Sequence, residues 1–145
     1  MSPVDSASCR TKMTRLERAG VCVFLAGITG VFFLASWLTP DPSGVGTHRQ
    51  LGFPECVFLK SLGRPCPHCG MTTAFAWIVR GEFRQAWRAN PSALFLAAAL
   101  LVLWPWLFRG AVSGRWPLTD EPGKWFLRGY IAWMILAVFI WAWRW

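Results

Sequence analysis

Charge is scarce in this chain, and what is missing excludes several classes of protein. Charged residues make up only 15% of the 145 positions, whereas hydrophobic residues make up 54%. Soluble domains typically carry about 25% charged residues. No carboxylate lies within any of the three long apolar runs, so an ion or proton pathway through this chain alone is not expected. The composition predicts a small integral membrane protein with a single domain.

Three apolar stretches approach the roughly 20 residues that are needed to cross about 30 Å of hydrocarbon. They cover residues 19–38, 92–108 and 125–143. The third stretch reaches this length only if Arg128 lies near one headgroup layer. Asn90 and Pro91 predict the start of the second helix, because Asn favours the N-cap and Pro the first helical position. Pro105 is then expected in the last turn, where a lost backbone bond costs least.

The predicted fold class is all-α, with about three transmembrane helices and one or two short amphipathic helices at the interface. The predicted order is a basic tail (1–18), transmembrane helix 1 (19–38), a loop with the cysteines (39–70), short amphipathic helices (71–90), transmembrane helix 2 (91–108), a loop (109–124) and transmembrane helix 3 (125–145). Tryptophans near the span ends support this order, since their amphipathic rings prefer the interface. These are Trp37, Trp104, Trp106, Trp125, Trp141, Trp143 and Trp145.

Basic residues before the first run predict an uncleaved anchor, because the run is long and lacks a small-x-small cleavage site. The 15 Lys and Arg residues divide almost evenly between the two sides of the predicted membrane. The first helix usually dominates topology, so we expect a cytoplasmic N-terminus and an outward-facing cysteine loop. The net charge of +8 is scattered over the span ends. This pattern favours the lipid bilayer as the partner and argues against nucleic acid.

The run Cys66-Pro67-His68-Cys69 is the one place in the sequence that indicates chemistry. Two thiols at this spacing can close a disulfide, share a metal ion or act as a dithiol redox pair. A structural zinc site needs about four ligands, and Cys56, Cys66 and Cys69 with either His68 or His48 could supply them. The candidate metal ligands are thus Cys56, Cys66, His68 and Cys69, and zinc is the candidate cofactor.

A redox role for Cys66 and Cys69 uses the same thiols, since a helix start lowers the pKa of a nearby thiol. Cys56 could then act as a third, exchanging cysteine. Cys-Pro-His-Cys also occurs in periplasmic thiol oxidases of the thioredoxin fold, but this chain lacks the strands of that fold. The plainest alternative is that Cys56 pairs with Cys66 or Cys69 as a staple, or that the thiols only shape a turn.

After Gly70 the apolar residues recur at helical spacing, in two short stretches that Gly81 separates. Either the apolar faces of these helices lie in the acyl boundary, or they pack against the spans. In the first case the arginines lie at phosphate level. The candidate lipid-headgroup residues are Arg80, Arg84 and Arg88.

From about Cys56 to Phe108 the chain resembles domain-of-unknown-function family 2752, a group of small bacterial membrane proteins. The resemblance is carried by Cys-Pro-x-Cys-Gly-Met-Thr, a short helix, an Arg-Gly-Glu-Phe turn, Ala-Trp-Arg-x-Asn-Pro and an apolar span. Members typically show an earlier Cys, matched by Cys56, and often Thr-Arg where this chain has Thr72-Thr73. The resemblance implies the bacterial cytoplasmic membrane and a shared thiol motif, without an established activity.

Together these features predict an accessory or scaffolding subunit of a larger membrane complex, with its loop stabilised by a disulfide or a metal. The small size, the abundant Trp and the absence of acids from the spans suit such a role. The alternative is a membrane thiol–disulfide oxidoreductase that uses Cys66 and Cys69.

Overall fold

Three long helices form the body of the molecule, and a group of short helices lies at one end of it. The computed structural model describes residues 12–116 and 121–144, in which the helices are α1 (Arg15–Trp37), a 3₁₀ helix (Thr47–Leu51), α2 (Val57–Leu62), α3 (Met71–Ile78), α4 (Phe83–Ala89), α5 (Pro91–Ser113) and α6 (Pro122–Arg144). The long helices α1, α5 and α6 each have 23 residues and are apolar enough to cross a membrane. Each is therefore about 34 Å long. The predicted fold class is confirmed.

The long helices alternate in direction, so the chain has two distinct ends. At one end the backbone N–H of Met13 donates to the carbonyl of Gly114 at 2.9 Å, which places the start of α1 beside the end of α5. At the other end the indole of Trp141 donates to the carbonyl of Pro65 at 2.6 Å. The last turn of α6 therefore lies against the cysteine segment. We call this second end the cysteine end.

The helix boundaries differ from those predicted, because local caps extend the helices beyond their apolar runs. α1 begins at Arg15, since Thr14 and Glu17 form a capping box in which each side chain binds the other residue's backbone N–H. α5 begins at Pro91 with Asn90 as its N-cap, as predicted, but continues to Ser113. Pro105 therefore lies inside α5 and not in its last turn, which corrects that expectation. Cys9, Arg10 and Trp145 lie outside the described residues.

Helix α3 is the most buried of the short helices. Ala74 and Ala76 are 0% exposed and Phe75 is 5% exposed, in a core that α3 forms with α1, α4 and α5. Of the two alternatives for the short helices, this burial supports packing of α3 against the long helices. Helix α4 differs, because its Phe83 and Trp87 are more than half exposed.

Arg80 follows α3 and closes the C-terminal end of α1. Its guanidinium donates to the carbonyls of Ala35, Ser36 and Leu38 at 3.3, 3.2 and 2.8 Å, and to Ala76 at 2.7 Å. The last carbonyls of a helix have no partner within the helix, and they carry the negative end of its dipole. α1 has no basic residue in its own last turn, so Arg80 supplies that charge from a distant part of the chain.

The outward faces of the long helices are apolar. In α6 the buried position is Ala137, while Ile135 and Phe139 are each more than 60% exposed. Side chains of this kind are consistent with contact to lipid.

Candidate metal centre

Three sulfur atoms meet at the cysteine end. The Sγ atoms of Cys56, Cys66 and Cys69 all lie within 4.8 Å of one another, and each of these residues is half-buried. The Cys66 and Cys69 sulfurs are 3.3 Å apart. Cys56 precedes Cys66 by ten residues in the sequence, yet the three sulfurs form one cluster.

Local backbone geometry positions each thiol. Cys56 is the N-cap of α2. Cys66 and Cys69 flank a turn in which the Cys69 N–H donates to the Cys66 carbonyl at 2.9 Å. Gly70 follows with a φ of +82° and serves as the N-cap of α3. The motif therefore lies on a tight turn directly before a helix, as the sequence predicted.

The side chain of Asn90 fixes this turn to α5. Its Nδ2 donates to the carbonyls of Pro67 and Cys69 at 3.1 and 3.0 Å. Its Oδ1 accepts from the backbone N–H and the hydroxyl of Ser92 at 3.0 and 2.7 Å. Asn90 is only 5% exposed, so all of these bonds are shielded from water. The sequence identified the N-cap role of Asn90 but not its bonds to the cysteine turn.

Gly70 lies where no side chain has room. A Cβ at this position would be 2.7 Å from the carbonyl oxygens of both Ala89 and Gly44. The turn is thereby packed between the end of α4 and the loop after α1. Glycine is required here for contact as well as for its positive φ.

Two buried threonines join α3 to the 3₁₀ helix. The hydroxyls of Thr47 and Thr73 are 2.8 Å apart, and the two residues are 0% and 1% exposed. Thr47 also accepts from the backbone N–H of Asp41 at 3.0 Å. Thr73 is the second residue of the Thr72-Thr73 pair in the first turn of α3. In this chain the position carries a buried hydroxyl that anchors the preceding loop.

Cys56 and Cys69 have pKa values that are shifted in opposite directions. The backbone N–H of Leu59, in the first turn of α2, stabilises the Cys56 thiolate and lowers the pKa of Cys56 to about 7. Burial raises the pKa of Cys69 to about 12, and hydrogen bonds to Cys56 and Cys66 add to this effect. Cys56 thus ionises well before Cys69, which keeps its proton at neutral pH.

Neither histidine belongs to the group of close ligand atoms. That group, among the residues described, consists of Cys56, Cys66 and Cys69. The ring of His68 is exposed and packs edge-on against Trp133, with ring centroids 5.4 Å apart. The ring of His48 donates through Nε2 to the carbonyl of Pro54 at 3.1 Å. The structure thus assembles three of the four predicted ligands and places His68 against α6.

The three candidate headgroup arginines have different surroundings. Arg80 binds the carbonyls at the end of α1, as described above, a role that the sequence did not indicate. Arg84 and Arg88 lie exposed on α4. They stay the candidates for contact with lipid phosphates.

Two cavities border the cysteine cluster. One, of about 370 Å³, lies between the cysteine turn and α6 and is bordered by Cys66 and Cys69; we call it the α6 cavity. The other, of about 350 Å³, is bordered by all three cysteines and by loop residues that include Asp41, His48 and Glu55; we call it the loop cavity. The cluster therefore has room on both sides for a bound ion and a further ligand.

Residues 56–104 match the family model described as "Protein of unknown function (DUF2752)". The resemblance to this family is confirmed over that stretch. The match covers about one third of the chain and begins at Cys56, and it contains the whole three-cysteine cluster and Asn90. Neither a curated protein nor a solved structure matches the chain.

Replacing Gly70 with Ala is expected to destabilise the cysteine end. Gly81 is the matched control, because its φ is also positive, at +78°, but nothing lies within 4 Å of an added Cβ. Gly81→Ala should cost about 1 kcal/mol from the backbone alone. Gly70→Ala should cost about 3 kcal/mol or more, because two carbonyl oxygens must move. Thermal denaturation in detergent measures both, and equal shifts would show that Gly70 is not tightly packed.

The rates at which Cys56 and Cys69 react with an alkylating reagent should follow their different pKa values. In reduced, metal-free protein, alkylation of Cys56 by iodoacetamide should rise with pH around a midpoint near 7, because the thiolate is the reactive form. Cys69 should react much more slowly than Cys56 up to about pH 9, well below its raised pKa. Peptide mass spectrometry at several pH values measures the alkylated fraction of each cysteine separately. A common midpoint near 8.5, the ordinary thiol value, would contradict the assigned environments.

Proposed function

We propose that Cys56, Cys66 and Cys69 form a metal centre, with zinc as the ion, in a membrane protein that acts as an accessory subunit. The mutual closeness of three sulfurs carries this proposal. With Zn–S bonds of about 2.3 Å and tetrahedral angles, neighbouring sulfurs lie about 3.8 Å apart. The cluster matches that size, so an ion needs little rearrangement to bind.

The surroundings of the cluster favour a structural or recruiting centre. Metal binding requires thiolates, and the lowered pKa of Cys56 supplies one near neutral pH. Asn90 and Gly70 hold the turn in place before any ion arrives, which lowers the ordering cost of binding. Three protein ligands leave a fourth position for His68 after a movement, for water or for a group from a partner.

A thiol–disulfide oxidoreductase is the second candidate, and the acidic Cys56 beside the CxxC pair is the observation that favours it. In a Cys66–Cys69 disulfide, attack by the Cys56 thiolate on one sulfur would form a new S–S bond and release the other cysteine as a thiolate. Redox cycling of the CxxC pair itself requires only Cys66 and Cys69, with Cys56 as an additional exchanging thiol, whereas a metal centre uses all three sulfurs. The gathering of all three is better explained by a metal.

Metal analysis of detergent-purified protein tests the first proposal. We expect about one zinc per chain, lost in Cys66→Ser because one of three thiolate ligands is removed. Cys22→Ser is the matched control, since Cys22 lies exposed in α1. His68→Ala should keep the metal, and its loss would make His68 the fourth ligand.

Other results of the same experiment distinguish the alternatives. A metal-free protein in which Cys66 and Cys69 form a reversible disulfide would favour the oxidoreductase. Three freely titrating thiols without metal would contradict both candidates. For the accessory role, blue native gels of solubilised membranes should show the chain in a larger species that Cys66→Ser weakens. Migration as a free monomer in both forms would argue against that role.

We further propose that the N-terminal end lies in the cytoplasm and the cysteine end outside, in the bacterial cytoplasmic membrane. The basic residues ahead of α1 support this orientation. In intact cells that express the protein, an impermeant maleimide applied after mild reduction and chelation should label Cys56. Labelling only after the cells are opened would reverse the orientation.

A further inference from the structure

The α6 cavity has a charge pattern that the metal proposal does not use. Arg88 and Arg144 both line it, and among the residues that the structure describes no Asp or Glu does. Arg144 donates from Nη2 to the backbone carbonyl of Arg88 at 2.8 Å, so the base of one arginine and the guanidinium of the other lie together. Two cationic side chains without a neighbouring acid form a site for an anion.

The start of α5 adds to this positive potential. Asn90 and Pro91, the N-cap and first residue of α5, also line the cavity. The positive end of the α5 dipole lies at this wall. Pro91 has no N–H and the Ser92 N–H is bound to Asn90, so the arginines provide the hydrogen-bond donors for an anion. Arg88, Arg144 and the α5 terminus thus surround the same space.

The wall formed by α6 is apolar below Arg144, while loop residues and the cysteine turn complete the cavity. Ala137, Ile140 and Trp141 of α6 line the cavity together with Arg144. Ile140 and Ala137 precede Arg144 by four and seven residues, which corresponds to depths of about 6 and 10 Å along the helix. The cavity therefore extends from the level of the arginines toward the hydrocarbon. A free phosphate would contact only the arginine end of the cavity and would leave its apolar end unused.

We propose that the α6 cavity binds an anionic phospholipid, with its phosphate between Arg88 and Arg144 and the start of its acyl chains along the half-buried Ile140. The volume of about 370 Å³ suffices for a headgroup and the adjoining glycerol, and lies within the range of small-molecule sites. Cys66 and Cys69 border the same space, so the lipid would lie beside the cysteine cluster. This site does not depend on whether the cluster holds a metal.

Native mass spectrometry of the detergent-purified full chain tests the proposal with phosphatidylglycerol and phosphatidylcholine as probes. We expect one tightly held phosphatidylglycerol and much weaker binding of phosphatidylcholine. Replacing both cavity arginines, Arg88→Gln with Arg144→Gln, should weaken phosphatidylglycerol binding roughly thirtyfold, since each basic residue near lipid phosphate contributes about one factor of five.

The control pair Arg109→Gln with Arg115→Gln removes the same charge at the opposite end of the molecule, where both residues lie exposed at or just after the end of α5. It should change binding less than about threefold. Equal losses in the two pairs would show general charge attraction and overturn the site. Arg88→Lys with Arg144→Lys keeps the charge and should retain most binding, whereas a loss as large as that of the Gln pair would contradict the electrostatic argument. Displacement of the lipid by millimolar inorganic phosphate would overturn the lipid assignment in favour of a free anion.

Discussion

One buried amide, the side chain of Asn90, connects the parts of the cysteine end. Its two donors bind the carbonyls of the cysteine turn, and its oxygen caps the first turn of α5. A buried polar group is costly unless its hydrogen bonds are made, so these bonds restrict the turn to one position. The sulfur cluster, both cavities and the start of α5 all depend on that position.

The loop between α1 and α5 is held by polar contacts as much as by apolar packing. Arg80 closes the end of α1, and the Thr47 and Thr73 hydroxyls join the 3₁₀ helix to α3. Arg80 donates to carbonyls that have no partner within α1, and the two threonine hydroxyls bind each other where both are buried. A connection of this length therefore has a defined structure despite its Pro-rich and Gly-rich beginning.

The cysteine cluster lies between two different environments. The loop cavity on one side is bordered by acidic and basic loop residues, and the α6 cavity on the other by arginines and an apolar helix face. A metal bound between them would stabilise the loop at the cysteine end. The proposed lipid and the proposed metal would thus act on the same turn from opposite sides, which suits a subunit that is recognised at the membrane interface.

The sequence by itself determined the features that depend on nearby residues. Apolar length predicted three spans, helical spacing predicted α3 and α4, and the Asn-Pro pair predicted the start of α5, because helices and caps are set within a few residues. Local caps also explain why α5 runs on to Ser113, since Gly114 and not the last apolar residue ends it. This boundary could be read only after the backbone was known.

Only the tertiary structure decided which of the candidate residues meet. Thr47 and Thr73 are 26 positions apart, and Arg80 binds carbonyls more than 40 positions earlier. Composition and spacing do not encode such contacts, because they result from how α1, α3 and α5 pack together. For the same reason the sequence listed His68 beside the three cysteines, whereas in the structure its ring packs against Trp133 and its ring nitrogens are not among the close ligand atoms. The residue types of the site were readable from the chain, and their arrangement was set by the packing of the helices.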